Sequence, residues 1–135
     1  MPLLWLVDDT PLWHHVTAAT LELTPGWRFA GLHTVNAAWL AFRDSVESQP
    51  SGLPRVILMD FYLGTARGDH LTEQLRDLEP EGVHTTIVGH SSMSHGSELI
   101  IQSGGDCAVT KAYNDAGINP HLLKWLKDFP EVSAD

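Results

Sequence analysis

Leu3-Leu-Trp-Leu-Val7, closed abruptly by Asp8-Asp9 and followed by Thr10-Pro11, is the stretch on which the fold turns. Five consecutive apolar residues leave neither face polar, which suits a strand buried on both sides of a parallel sheet. Thr10 is an N-cap type, and Pro11 fits the first helical position. Leu12, Val16, Ala19 and Leu23 then recur at helical spacing, and Pro25-Gly26 stops the run. The chain therefore starts as a buried strand, an acidic turn and a helix.

The same unit recurs downstream. Arg55-Val-Ile-Leu-Met59 ends in Asp60, Thr86-Ile-Val88 ends in Gly-His-Ser-Ser, and Cys107-Ala-Val109 ends in Thr110-Lys111. Trp27 to Leu32 is a weaker strand with partial alternation. Between these runs the spacing predicts a helix over 35–46, closed by Gln-Pro-Ser-Gly at 49–52. A further helix is marked by Leu71, Leu75 and Leu78 and ended by Pro80. A short helix over 98–103 is stopped by Gly104-Gly105, and a last one is marked by Ile118, Leu122, Leu126 and Phe129 and ended by Pro130. Alternating strands and helices in a short chain imply an α/β fold, (βα)5, with a parallel sheet covered on both faces.

Composition bounds the function. The chain has 135 residues, with 8 Lys plus Arg against 17 Asp plus Glu and a formal charge of −9. That length suits one domain. The acidic balance argues against binding a nucleic-acid backbone, which needs clustered Lys and Arg. A lone cysteine, Cys107, excludes an internal disulfide and a Cys-based zinc site, and suits a reducing compartment. The longest apolar run, 2–7, falls far short of the ~20 residues that span a bilayer, and no basic n-region precedes it. The expectation is a soluble, cytoplasmic, single-domain protein that binds neither membrane nor nucleic acid.

In an open parallel sheet, ligands bind beyond the carboxyl ends of the strands. That edge gathers Asp8, Asp9, Asp60, Ser91 and Lys111. Three carboxylates repel one another unless a cation compensates. A hard divalent ion with oxygen ligands is the natural solution, and Mg2+ favours one or two carboxylates plus phosphate oxygens. With an ammonium and a hydroxyl added, the set is suited to phosphoryl transfer onto a carboxylate.

In these residues the chain resembles the receiver domain of two-component response regulators. Leu6-Val-Asp-Asp9 resembles the acidic pair after the first strand. Val56-Ile-Leu-Met-Asp60 resembles the strand that presents the phosphoaccepting aspartate. Ser91-Ser92 matches the hydroxyl residue and its small neighbour, Val109-Thr-Lys111 the lysine after the fifth strand, and Gly104-Gly-Asp106 the turn before that strand. The resemblance implies a flavodoxin-like, doubly wound sheet in the strand order 2-1-3-4-5. It implies a receiver over 1–130, a short tail over 131–135 and no output domain.

The same resemblance implies roles. Asp60 would accept a phosphoryl group from a sensor histidine kinase or a histidine phosphotransfer protein. Asp9, Asp60 and the main-chain carbonyl of Tyr62 would hold Mg2+ or Mn2+, with Asp8 acting through a metal-bound water. Lys111 would pair with Asp60 and then with the phosphoryl oxygens, onto which Ser91 would close. Such a protein is not an enzyme on external substrates; it catalyses only its own phosphorylation and dephosphorylation. It would signal through a protein partner or a phosphorelay, as a monomer or a phosphorylation-modulated dimer. A receiver-like module that works without phosphorylation is the main alternative. An aspartyl-phosphate phosphohydrolase is disfavoured because position 62 is tyrosine rather than a second aspartate.

Some positions depart from the receiver pattern. Ala108 stands where an aromatic residue is usual, and Ala112 follows the lysine where proline is usual. A non-prolyl cis bond costs ~3–4 kcal/mol, so a trans bond and a rearranged loop are expected there. The Ser-, Met-, His- and Gly-rich stretch after Ser91 predicts a truncated fourth helix, with Ser92 as the alternative hydroxyl. The histidines read as solvated or capping, with His90 nearest the pocket. The five tryptophans, Trp5, Trp13, Trp27, Trp39 and Trp125, read as core and shell packing, and Trp13, beside the acidic pair, could cover the pocket. Cys107 reads as a buried strand residue, and Arg43, Arg67 and Arg76 as solvated. Tyr62 and Met93 are bulky and, by the resemblance, border the phosphoryl group. Tyr62→Ala and Met93→Ala are each expected to shorten the phosphoryl lifetime severalfold, measured as decay of the phosphorylated protein; unchanged lifetimes would sink the idea.

Overall fold

Leu4, Leu6, Val56 and Leu58 turn to one side of a central sheet; Trp5, Val7, Ile57 and Met59 turn to the other. This period-two division follows from strand geometry and explains why these runs are apolar without alternation. The computed structural model describes residues 1–129, so the expected boundary at 130 and the tail over 131–135 lie outside the described residues.

Strands β1 (Leu3–Val7), β2 (Arg28–Leu32) and β3 (Val56–Met59) alternate with helices α1 (Pro11–Glu22) and α2 (Val35–Ser48). A hairpin of β4 (Tyr62–Leu63) and β5 (Ala66–Arg67) follows, then α3 (Gly68–Leu78), β6 (Thr86–Gly89), α4 (Ser94–Gln102), β7 (Cys107–Ala108) and α5 (Pro120–Lys127). The main sheet has five strands, all paired in parallel, in the order β2-β1-β3-β6-β7. Counted among the sheet's own strands, that is the expected 2-1-3-4-5. Ala38, Phe42, Leu71, Leu75 and Ile100 from α2, α3 and α4 cover one face. Leu21, Leu122 and Leu126 from α1 and α5 cover the other. No helix among the described residues is long and apolar enough to cross a membrane.

The structure corrects several expectations. The β4–β5 hairpin was not foreseen; two-residue strands carry too little pattern to read. Helix α4 is not truncated and begins at Ser94, four residues earlier than expected. Its opening Ser-His-Gly is a poor helix former, but Gly96 and Ser97 are buried against Phe61 and Gly89, where only small residues fit. Tertiary packing thus overrides propensity. Helix α5 starts later, at Pro120, because Asn119 caps it: its Oδ1 accepts from the amides of His121 and Leu122 at 3.0 and 3.2 Å. Thr10 sits at the N-cap of α1, yet its side chain makes no cap bond. The Lys111–Ala112 peptide is trans, as expected.

Arg76 is not solvated. It donates to the carbonyls of Thr85 and Gly104 and to the carboxylates of Glu79 and Asp106, all at 2.7–3.0 Å. Asp106 also accepts the Ile87 amide at 2.8 Å, so one guanidinium ties α3 to the loops flanking β6 and β7. Truncating one partner of such a network leaves the others unpaired. Arg76→Ala is expected to lose about 2–3 kcal/mol of stability in urea unfolding; a loss below about 0.5 kcal/mol, typical of surface changes, would show the network to be dispensable.

Candidate functional site

Register brings the acidic residues together. Val7 pairs with Met59 across β1 and β3, so Asp8 and Asp60 leave adjacent strands at the same level, and the Asp60 amide donates to the Val7 carbonyl at 3.0 Å. One carboxylate oxygen from each of Asp8, Asp9 and Asp60 lies within 4.8 Å of the other two. Asp8 is fully buried and Asp60 nearly so, while Asp9 is exposed. Among the described residues this is the one group of three or more His, Cys, Asp or Glu side chains arranged to hold a metal ion.

Lys111 reaches the group from beyond β7. Its Nζ donates to Asp8 Oδ2 at 2.7 Å and lies 3.3 Å from Asp60 Oδ1. The expected partner was Asp60, but the closer contact is Asp8, whose complete burial demands a compensating charge. Three carboxylates against one ammonium leave an excess of negative charge surrounded by oxygen donors, which fits a hard divalent cation. Asp9 and Asp60 would hold it directly, with Asp8, whose two oxygens already accept from the Thr10 amide and Lys111, beside them.

Asp60 feels this environment directly. Burial first, and then the charge of Asp8, push its carboxyl up to about 6 from 3.8; the Lys111 charge and the Phe61 amide oppose the rise. That amide donates to Asp60 Oδ1 at 2.8 Å and fixes the carboxylate's orientation. Thr10 donates its amide to Asp8 Oδ1 at 2.9 Å. Gly64, at φ +65° in the hairpin turn, donates its amide to Asp9 Oδ2 at 3.0 Å. The hairpin thus steadies the exposed member of the trio. At Gly68 a Cβ would collide with the Asp60 carbonyl oxygen. Gly64 and Gly68 were missed from sequence because a backbone donor or a close approach leaves no side-chain signature; Asn119 was missed although Asn119-Pro120 carries the same cap-and-proline signal as Thr10-Pro11.

Ser91 Oγ accepts the Met93 amide at 3.1 Å, so the hydroxyl caps the turn into α4 and keeps its own proton available. Ser92 and Met93 are exposed at the start of that helix, and Tyr62 is exposed two residues beyond Asp60. Beside Ser91, a groove of about 360 Å3 is lined by Ser91, Ser94, Ile101, Ala108 and Thr110 among others. Exposed Ala108 forms part of its wall.

His90 is buried beside the pocket, as the sequence suggested. It stands edge-on to Trp13 and accepts from Asn119 Nδ2 at 3.4 Å. Burial, and secondarily the charge of Lys111, hold its pKa down to about 3, so it stays neutral. His14 is not solvated either: its Nε2 donates to the Asp8 carbonyl at 2.7 Å, and its ring stacks on His33. Arg67 remains partly exposed to solvent, as expected, while its guanidinium pairs with buried Asp69. Cys107 is half-buried, with its thiol pushed up by burial and by Asp106, which argues against a reactive thiolate.

A five-stranded, doubly wound sheet with an acidic trio and a lysine at its carboxyl edge defines a class, and comparison with solved structures names its fold. No protein-family model matches the chain, and no curated protein matches it by sequence. The receiver domain of the histidine kinase CKI1 from Arabidopsis thaliana, in a mutant form, superposes with a TM-score of 0.76 at 19% identity, over 99% of this chain and 91% of that one. A CheY-like response regulator receiver domain protein from Methanospirillum hungatei gives 0.71 at 20% identity, over 99% and 95%. The response regulator TrrA from Thermotoga maritima, in complex with Mg2+–BeF, gives 0.68 at 19% identity, over 94% and 97%. The chain has the receiver-domain fold.

The raised Asp60 carboxyl makes stability depend on pH. Between about pH 4 and pH 6 the folded chain holds a proton that the unfolded chain has lost, so stability falls as pH rises through that window. The mouth of the pocket is open to solvent, which reduces the cost to about 1–2 kcal/mol. Asp60→Asn is expected to be more stable than wild type by about that amount near pH 8 in chelator, measured by urea unfolding. The gap should close below about pH 4; a gap that does not change with pH would contradict the assignment.

Proposed function

We propose that this protein is a phosphoacceptor switch: Asp60 takes a phosphoryl group from a phosphohistidine of a sensor kinase or phosphotransfer protein, in a Mg2+- or Mn2+-dependent reaction. The carrying observation is the trio of carboxylate oxygens within 4.8 Å of one another, with Lys111 at 2.7 Å from Asp8 and 3.3 Å from Asp60. Asp9 and Asp60, with the main-chain carbonyl of Tyr62, would hold the metal, which when bound supplies positive charge to the phosphoryl oxygens.

The protein's own groups account for the remaining steps. The Phe61 amide holds one Asp60 oxygen, leaving the other to attack phosphorus. The new O–P bond forms as the N–P bond of the donor breaks; the imidazole nitrogen keeps that electron pair and takes a proton from water. Lys111 stands beside the accepting carboxylate and balances charge that develops on the transferring group. Ser91 offers its hydroxyl proton once it turns from the Met93 amide. That turn would link phosphorylation to the start of α4, an order-and-packing switch driven by new local charge. The phosphorylated form would signal by binding a partner protein or by passing the group onward. The chain acts on no external substrate in this scheme, and a kinase partner would place it in the cytoplasm.

The CheY-like fold and the Mg2+–BeF complex of the Thermotoga maritima response regulator support this scheme. A second reading, an interaction module that works without phosphorylation, draws on exposed Ala108 and the groove beside it. Incubation with Mg2+ and acetyl phosphate, followed by intact mass measurement, separates the two. The expected result is one phosphoryl adduct in wild type, none in Asp60→Asn, none in chelator, and formation slowed about tenfold or more in Lys111→Ala. No adduct in wild type would favour the module, and steady turnover of phosphate esters would overturn both.

A further inference from the structure

Lys111 is held by more than its two carboxylates. Its side chain is only 6% exposed, although an ammonium has three donors to satisfy. Asp8 and Asp60 account for one side of it. On another side lies the Trp13 indole, with its ring centroid 4.9 Å from Nζ. The face of an indole carries negative charge density and attracts a cation most strongly where water is excluded.

The indole is fixed in turn. Trp13 lies in the first turn of α1, and its amide donates to the Thr10 carbonyl at 3.2 Å. Buried His90 stands edge-on to the ring at 5.7 Å and 87°, and exposed Tyr113 at 5.8 Å and 70°. His90 is itself held by Asn119, the cap of α5, whose Nδ2 also donates to the Thr110 carbonyl at 3.0 Å. The ring therefore cannot swing away from the ammonium without disturbing α1, the end of β6 and the loop after β7. A neutral His90 adds no competing charge.

We propose that Trp13 is a positioning residue for Lys111: its indole face replaces water on the ammonium and holds Nζ between Asp8 and Asp60, where a phosphoryl oxygen on Asp60 would meet it. The proposal rests on Asp60 being the phosphoacceptor. It also gives this chain an aromatic contact to the site from α1, since β7 carries only Ala108 on the opposite side. When Lys111 shifts toward a phosphoryl group, the indole loses or gains a charge at its face, so Trp13 should report the change.

The test uses the full chain with Mg2+ and acetyl phosphate. Trp13→Leu, which keeps apolar bulk without a π face, is expected to lower the rate of Asp60 phosphorylation at saturating donor about three- to thirtyfold. Trp13→Phe should recover most of that loss. Fluorinated tryptophan throughout the chain, which weakens the ring's negative face without changing its shape, should slow the wild type but not Trp13→Phe. Addition of Mg2+ and beryllofluoride should change tryptophan emission in wild type and in Trp39→Phe, and not in Trp13→Phe. A wild type that takes up no phosphoryl group overturns the phosphoacceptor reading, and the role of Trp13 with it. A wild type that is phosphorylated, with Trp13→Leu and the fluorinated protein at its rate, overturns the role of Trp13 alone.

Discussion

Two buried carboxylates share one buried ammonium, and the rest of the carboxyl edge is arranged around that arrangement. Asp8 has no access to solvent, and Asp60 very little. Charges in such a place are tolerated only when paired and hydrogen-bonded. Lys111 supplies the pairing, and the amides of Thr10 and Phe61 supply the bonds. The cost is visible in Asp60, whose carboxyl is pushed up to about 6 by burial and by Asp8. A site that holds excess negative charge at rest is prepared for a divalent cation and a group that brings its own charge.

Close approach of backbone makes that arrangement possible. Gly68 brings the start of α3 against the Asp60 carbonyl, and Gly96 brings α4 against Phe61 and Ser91. Any side chain at either place would push a helix away from the strand ends. The hairpin between β3 and α3 lets Gly64 reach Asp9. The loop after β7 is organised without proline: Asn114 Oδ1 accepts the amides of Ala116 and Ile118 at 3.0 and 3.2 Å, and Asn119 joins that loop to α5 and His90.

The aromatic groups are distributed to match. With Ala at 108, the side of β7 facing α4 is an open groove beside Ser91. On the α1 side, the Trp13 ring lies over Lys111, and Tyr113 and His90 stand edge-on to that ring. The edge is therefore asymmetric: Ser91 borders an open groove, whereas Lys111 lies against an indole face.

The sequence by itself determined the strands of the main sheet, the fold and the acidic trio. Runs such as 3–7 and 55–59 are apolar on both faces and end in aspartate, and that pattern has few physical solutions other than a buried parallel sheet with a polar carboxyl edge. Only the tertiary structure decided how charges are shared there. Which carboxylate Lys111 approaches depends on burial, and burial depends on every element around the site. The same holds for Arg76, which looks solvated in sequence and is the tie between α3 and two loops. The length of α4 was likewise illegible, because Ser94-His95-Gly96 favours a loop until Phe61 and Ser91 pack against Gly96. Local pattern records which residues must be buried; it does not record which polar group each of them will meet, because those partners come from distant parts of the chain.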